Sequence, residues 1–157
     1  MKRFNILLFF ILFLPGLLAA QDIRVSPDGE VRSIKAAVEM AQSGDHILVE
    51  AGTYTESEIE INKPLTLEGA DRPIIDGNRE GNILIIRADS VTVKGFMIKN
   101  TGRSYVRDYS AILLENSKDF LIEDNELDNV YFGIYLAETD RGIIRGNRPW
   151  NYSRKSY

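Results

Sequence analysis

Ser110-Ala111-Ile112-Leu113-Leu114-Glu115-Asn116 leads into Phe120-Leu121-Ile122-Glu123-Asp124-Asn125, and the same pattern returns 22 residues later. The second copy is Phe132-Gly133-Ile134-Tyr135-Leu136-Ala137-Glu138, then Gly142-Ile143-Ile144-Arg145-Gly146-Asn147. Ile112 maps to Ile134, Leu114 to Leu136, Ile122 to Ile144 and Asn125 to Asn147. Short aliphatic strands separated by Asn and Gly turns at this period read as coils of a solenoid. The expected fold is all-β, a right-handed parallel β-helix with coils stacked about 4.8 Å apart. Equivalent Ile and Leu residues would pile into columns. Asn125 and Asn147 would share a corner, their amides bonding to each other and to the turn, and their backbones would take the left-handed turn.

The pattern extends towards the N-terminus. Ile83, Ile85, Val91 and Val93 precede Ile112, Leu114, Phe120 and Ile122 by 29 residues each. The excess over 22 lies in Thr101-Gly102-Arg103-Ser104-Tyr105-Val106-Arg107-Asp108-Tyr109, an insertion between strands. Ile59 and Ile61 precede Ile83 and Ile85 by 24, and Ile74-Ile75 ends at the turn pair Asp76-Gly77. Further back, Ile47-Leu48-Val49 is a strand, and Ala51-Gly52-Thr53-Tyr54 turns the chain. Ile34, Ala37, Val38 and Ala41 take helical spacing, with Ser33 as N-cap and Gly44 as stop. This one helix is placed to cover the raw strand edges at the start of the solenoid.

Residues 1–20 are expected to be a secretory signal peptide. Lys2 and Arg3 precede an apolar run from Phe4 to Leu14, Pro15-Gly16 breaks it, and Ala19-Ala20 leads into polar Gln21-Asp22. Cleavage after Ala20 would leave no segment able to cross a membrane. Taking Lys2 and Arg3 off the chain's net charge of −4 leaves −6, a poor match for nucleic acid. Cysteine is absent, so no disulfide holds the exported chain and no lipid anchor attaches through Cys. The β-helix domain is read as residues 21–147. Residues 148–157 form a basic, aromatic, aperiodic tail, and the pattern's break after Asn147 reads as truncation or a shifted reading frame.

Ser33-Ile34-Lys35-Ala36-Ala37-Val38-Glu39-Met40-Ala41 and Gly44-Asp45-His46-Ile47-Leu48-Val49-Glu50-Ala51-Gly52-Thr53-Tyr54 resemble the entry module of parallel β-helix proteins. That module is shared by pectate-lyase-like enzymes and by carbohydrate-binding and sugar-hydrolase (CASH-type) domains. Pro64-Leu65-Thr66-Leu67-Glu68-Gly69, Pro73-Ile74-Ile75-Asp76-Gly77, Val91-Thr92-Val93-Lys94-Gly95-Phe96, Gly133-Ile134-Tyr135-Leu136 and Ile144-Arg145-Gly146-Asn147 continue the likeness. Over residues 22–147 the chain resembles the NosD family, periplasmic maturation proteins of nitrous oxide reductase. The resemblance implies an exported, non-enzymatic accessory protein in copper-site assembly. Its implied partners are an ABC transporter (ATPase and permease) and nitrous oxide reductase. Copper is the implied metal.

The residues themselves offer little copper chemistry. Copper takes Cys, Met or His, and residues 21–157 hold only His46, Met40 and Met97. Glu123, Asp124, Glu126 and Asp128 surround Asn125, and paired carboxylates suit glycoside hydrolysis or calcium-assisted lyase chemistry. The preceding coil aligns Lys94-Gly95-Phe96-Met97 with that run, so the carboxylates do not stack. A polysaccharide lyase, glycoside hydrolase or carbohydrate-binding solenoid is the alternative reading. The best candidate binding surface is the insertion, through Arg103, Tyr105, Arg107, Asp108 and Tyr109, because aromatic and Arg side chains on a loop suit protein or sugar contacts.

Overall fold

A computed structural model describes residues 20–149. The expected signal peptide, but for Ala20, and residues 150–157 lie outside the described residues. Alternating aliphatic and polar residues in segments of two to six form three parallel sheets that wind around one core. The first sheet stacks β1 (Asp22–Val25), β2 (His46–Val49), β5 (Thr66–Gly69), β8 (Thr92–Lys94), β11 (Leu121–Glu123) and β14 (Ile143–Arg145). The second stacks β4 (Ile59–Ile61), β7 (Leu84–Ile86), β10 (Ser110–Glu115) and β13 (Phe132–Ala137). The third stacks β3 (Thr53–Thr55), β6 (Ile74–Asp76), β9 (Met97–Lys99), β12 (Glu126–Asp128) and β15 (Arg148–Pro149). Every strand pair is parallel, which is what a coil returning to the same face must give.

Inward columns follow from the register. Ile47, Leu67, Val93 and Ile122 sit one above another and are fully buried. Ile59, Leu84 and Ile112 form a second column, and Tyr54, Ile75 and Ile98 a third. Each such side chain contributes roughly 1.5–3 kcal/mol through burial. Outward positions carry charge ladders. Glu68 binds Lys94 at 3.1 Å, and Arg145 binds Glu123 at 2.5 Å. Arg87 bridges Glu60 at 2.9 Å and Glu115 at 2.7 Å.

The helix α1 (Ile34–Met40) lies where the sequence placed it, and Ser33 Oγ accepts from Ala36 N. Ile34, Ala37 and Val38 face the core. The helix ends at Ala41, and Gly44 (φ +93°) serves the turn beyond it.

Several local readings need correction. Thr53 and Tyr54 belong to strand β3, because Tyr54 points inward as the foot of the third sheet. The pattern continues past Asn147: Arg148 and Pro149 pair with Glu126 and Leu127. Ile112 lies opposite Leu84, and Leu114 opposite Ile86, one residue from the expected Ile83 and Ile85. The offset there is therefore 28, and it returns to 29 at Thr92–Leu121. Ile59 likewise pairs with Leu84. At the Asn125 corner the left-handed residues are Gly95 (φ 81°), Asp124 (φ 51°) and Gly146 (φ 67°), each one before the stacked position.

Candidate functional site

Two long turns share one corner of the solenoid, where the third sheet passes to the second. Residues 77–83 join β6 to β7, and residues 100–109 join β9 to β10. The equivalent turn one coil later is 129–131. The long turns bind each other through the backbone. Gly77 N donates to Lys99 O, Arg79 N to Asn100 O and Gly102 N to Gly81 O, each at 2.9 Å. Thr101 is buried, and its Oγ1 accepts from Tyr131 N at 2.8 Å. The base of the insertion is therefore part of the scaffold.

A polar ladder runs up this corner. Asn100 Nδ2 donates to Asp76 Oδ1 at 2.8 Å, and Asn129 Nδ2 donates to Asn100 Oδ1 at 2.6 Å. Asn100 and Asn129 both take left-handed backbone, which Asn tolerates. Burial raises the pKa of Asp76, but hydrogen bonds from Asn100, Asn78 and Lys99 outweigh it and hold the carboxyl below its usual range.

The structure divides the five insertion residues read as candidates. Arg103 Nη2 donates to Asn129 Oδ1 at 3.0 Å, at the top of the ladder. Tyr105 stands fully exposed, and Arg107 and Asp108 are also exposed. Tyr109 is half-buried: its ring lies against Gly102, and its carbonyl accepts from Phe132 N at 3.1 Å. It anchors the end of the loop. A concavity lined by Arg103, Ser104, Tyr105 and Tyr131 opens beside the loop.

The sequence reading missed the aromatic residues of the next coil. Tyr131 and Phe132 meet edge-to-face with centroids 4.8 Å apart, and Phe132 meets Tyr135 at 6.0 Å. All three are more than a third exposed. Three aromatics in five residues, within a repeat otherwise aliphatic, was the available signal. Arg103 with Tyr105 and this aromatic run makes a mixed donor and π-face surface suited to recognition.

The other candidates do not converge. Glu123 is paired with Arg145. Glu126, only 3% exposed, is held by Arg72 and Arg148, so arginines take up two of the run's four carboxylates, Glu123 and Glu126. His46 spends both ring nitrogens on carboxylates, Asp22 at 3.2 Å and Glu68 at 3.0 Å. Met97 faces outward on the third sheet, and Met40 lies exposed on α1. The soft donors thus sit on separate elements. Among the described residues no group of three or more His, Cys, Asp or Glu is placed to hold a metal ion. This donor set does not fit copper.

Residues 38–156 match the family described as periplasmic copper-binding protein (NosD). The chain belongs to the NosD family. It is 28% identical over 99 residues to the probable ABC transporter binding protein NosD of Pseudomonas aeruginosa. That alignment covers 62% of this chain and 23% of the relative, so the chain matches about a quarter of the relative's length. In fold it is similar to the crystal structure of the GH136 lacto-N-biosidase from Eubacterium ramulus. The TM-score is 0.65 at 13% identity, covering 82% of this chain and 34% of that one. At that identity the likeness concerns the scaffold alone. Among the described residues no helix is long and apolar enough to cross a membrane.

Proposed function

We propose that this chain is an exported accessory protein for copper-site assembly in nitrous oxide reductase, working beside an ABC transporter through protein contacts. The observation that carries the reading is the NosD family match across residues 38–156, on a solenoid whose His46, Met40 and Met97 sit on separate elements. The name of the P. aeruginosa relative, an ABC transporter binding protein, supports the transporter as partner. The chain's part is that of a docking scaffold without catalysis, and the copper ligands belong to its partners. The contact surface is the corner of Arg103, Tyr105, Arg107 and Asp108, continued by Tyr131, Phe132 and Tyr135. Exposed aromatics and arginines on a rigid frame are the side chains that dominate protein interfaces.

The test is co-purification of the tagged chain with the transporter ATPase–permease and with nitrous oxide reductase from cells making all of them. Association that weakens about tenfold or more in an Arg103→Ala/Tyr105→Ala variant of unchanged stability is the expected result. Absence of association, together with cleavage of a polysaccharide by the same preparation, would favour the carbohydrate-active alternative.

A further inference from the structure

Gln21 is the last residue before β1, and it is held from two directions. Its N–H donates to Asp45 Oδ1 at 2.9 Å, and its carbonyl accepts from His46 N at 2.9 Å. Asp45 is 3% exposed, and its second oxygen accepts from Gln42 N at 2.7 Å. The backbone hydrogen bonds from Gln21 and Gln42 hold its carboxyl below the usual range, so it is ionised at neutral pH.

The Ala20–Gln21 bond is where the sequence places removal of the leader. Hydrolysis there adds water across one C–N bond. The hydroxyl goes to the Ala20 carbonyl carbon and the hydrogen to the Gln21 nitrogen, which becomes an amine and takes up a proton below about pH 8. The atom that donates a neutral hydrogen bond to Asp45 in the precursor thus becomes a cation. We infer that the α-ammonium of mature Gln21 forms an ion pair with the buried Asp45 carboxylate, so that processing itself locks the first strand onto the solenoid. Charge-assisted hydrogen bonds are roughly twice as strong as neutral ones, and although Gln21 itself is exposed, the Asp45 carboxylate it meets is only 3% exposed. A second consequence concerns the new terminus. An N-terminal Gln cyclises when its free amine attacks its own side-chain carbonyl carbon and ammonia leaves. A protonated amine held by Asp45 has no lone pair for that attack.

The inference rests on the export reading, and the experiment separates the two. The full chain is exported from its own leader, and the purified protein is weighed intact. A mass that starts at Gln21 with no loss of ammonia is expected. A retained leader overturns the export reading, whereas a different first residue or a wholly cyclised Gln21 leaves export standing and overturns the ion pair alone. The mature protein is then compared with the same protein acetylated only at its α-amine, which keeps the N–H and removes the charge. The free-amine form is expected to have an unfolding equilibrium constant about tenfold smaller at pH 6. Pairing raises the amine's folded pKa, so the gap is present below about pH 7.7 and closes as pH rises through the raised value. In an Asp45→Asn background the gap should vanish. Equal stability of the two forms, or a gap that survives in Asp45→Asn, overturns the inference. Should Asp45→Asn not fold, the acetylation rate of the wild-type amine decides. Slow reaction in folded protein and fast reaction in urea supports the pair, and equal rates refute it.

Discussion

Glu56 and Lys63 grip opposite ends of the same short helix. The Glu56 carboxylate accepts from Ile34 N at 2.9 Å and Lys35 N at 2.8 Å, while Lys63 Nζ donates to Val38 O at 3.1 Å and Ala41 O at 2.8 Å. Both residues flank β4, so the first wall of the solenoid clamps its own cap. An anion at the N-terminus and a cation at the C-terminus each oppose the helix dipole and satisfy end groups that have no partner inside the helix. Seven residues are too few to hold a helix unaided. Glu56→Ala and Lys63→Ala are each expected to lower stability by about 2 kcal/mol in urea unfolding. Hydrogen exchange should rise first in α1.

The Asn125 corner makes a sharper prediction. Asn125 is fully buried; its amide donates to Val93 O at 3.2 Å and Asn147 Oδ1 at 2.9 Å, and its own oxygen accepts from Phe96 N at 3.1 Å. Truncation to Ala strands the Phe96 N–H in a dry place and takes from the Val93 carbonyl the second of its hydrogen bonds. Asn125→Ala should cost about 3 kcal/mol, since buried unpaired groups carry their full desolvation penalty. Asn125→Asp should be worse still, because a carboxylate cannot donate to Val93 O. Urea unfolding of the three proteins side by side measures both.

The same corner shows what the sequence made readable and where reading failed. Ile112 to Ile134 and Asn125 to Asn147 were visible because a stacked coil demands the same residue type at the same spacing. The register slip at Ile83 and Ile85 has a physical cause. Ile83-Leu84-Ile85-Ile86 is four aliphatics in a row, so alternation no longer tells inside from outside. Leu84 and Ile86 take the core column, and Ile83 packs under Gly77 in the preceding long turn. The candidate site was half legible. An insertion announces itself as a break in phase, but Tyr131, Phe132 and Tyr135 lie in phase. Only the stacking of coils brings them beside the loop.

Gly69 and Gly95 meet face to face where the first sheet turns. A Cβ on Gly95 would stand 2.6 Å from Gly69 O, and Gly95 has φ +81°. A side chain there adds strain to a backbone collision, so Gly95→Ala should cost about 3 kcal/mol or prevent folding. Gly44 has a similar φ but open space around it, and Gly44→Ala should cost only about 1 kcal/mol. Thermal unfolding of the two variants distinguishes crowding from strain.

Acid should loosen the corner beneath the candidate site. Asp76 is held below its usual range although burial opposes this, because Asn100, Asn78 and Lys99 bond to its charged form. A carboxyl depressed in the folded state contributes stability that is present above its unfolded pKa of about 3.9 and lost as pH falls through the folded value. The wild type should therefore lose stability progressively below about pH 4. Asp76→Asn should start less stable at pH 7 and lose less on acidification. Urea midpoints taken between pH 7 and pH 3 test this, and parallel curves for the two proteins would count against it.

Tyr105 and Tyr109 lie four residues apart in one loop and should behave in opposite ways. Tyr109 packs against Gly102 and accepts from Phe132 N through its carbonyl, whereas Tyr105 is fully exposed. Tyr109→Ala should cost about 2 kcal/mol through lost packing and should free the loop. Tyr105→Ser should leave the unfolding midpoint within about 0.5 kcal/mol of wild type, as exposed substitutions do. If the corner is a docking surface, Tyr105→Ser weakens association with the transporter or the reductase without touching stability. Tyr109→Ala weakens it only in step with unfolding. A Tyr105→Ser protein that binds as wild type does, in co-purification at matched concentration, would remove the loop tip from the interface and leave Tyr131 and Tyr135 as the next positions to substitute.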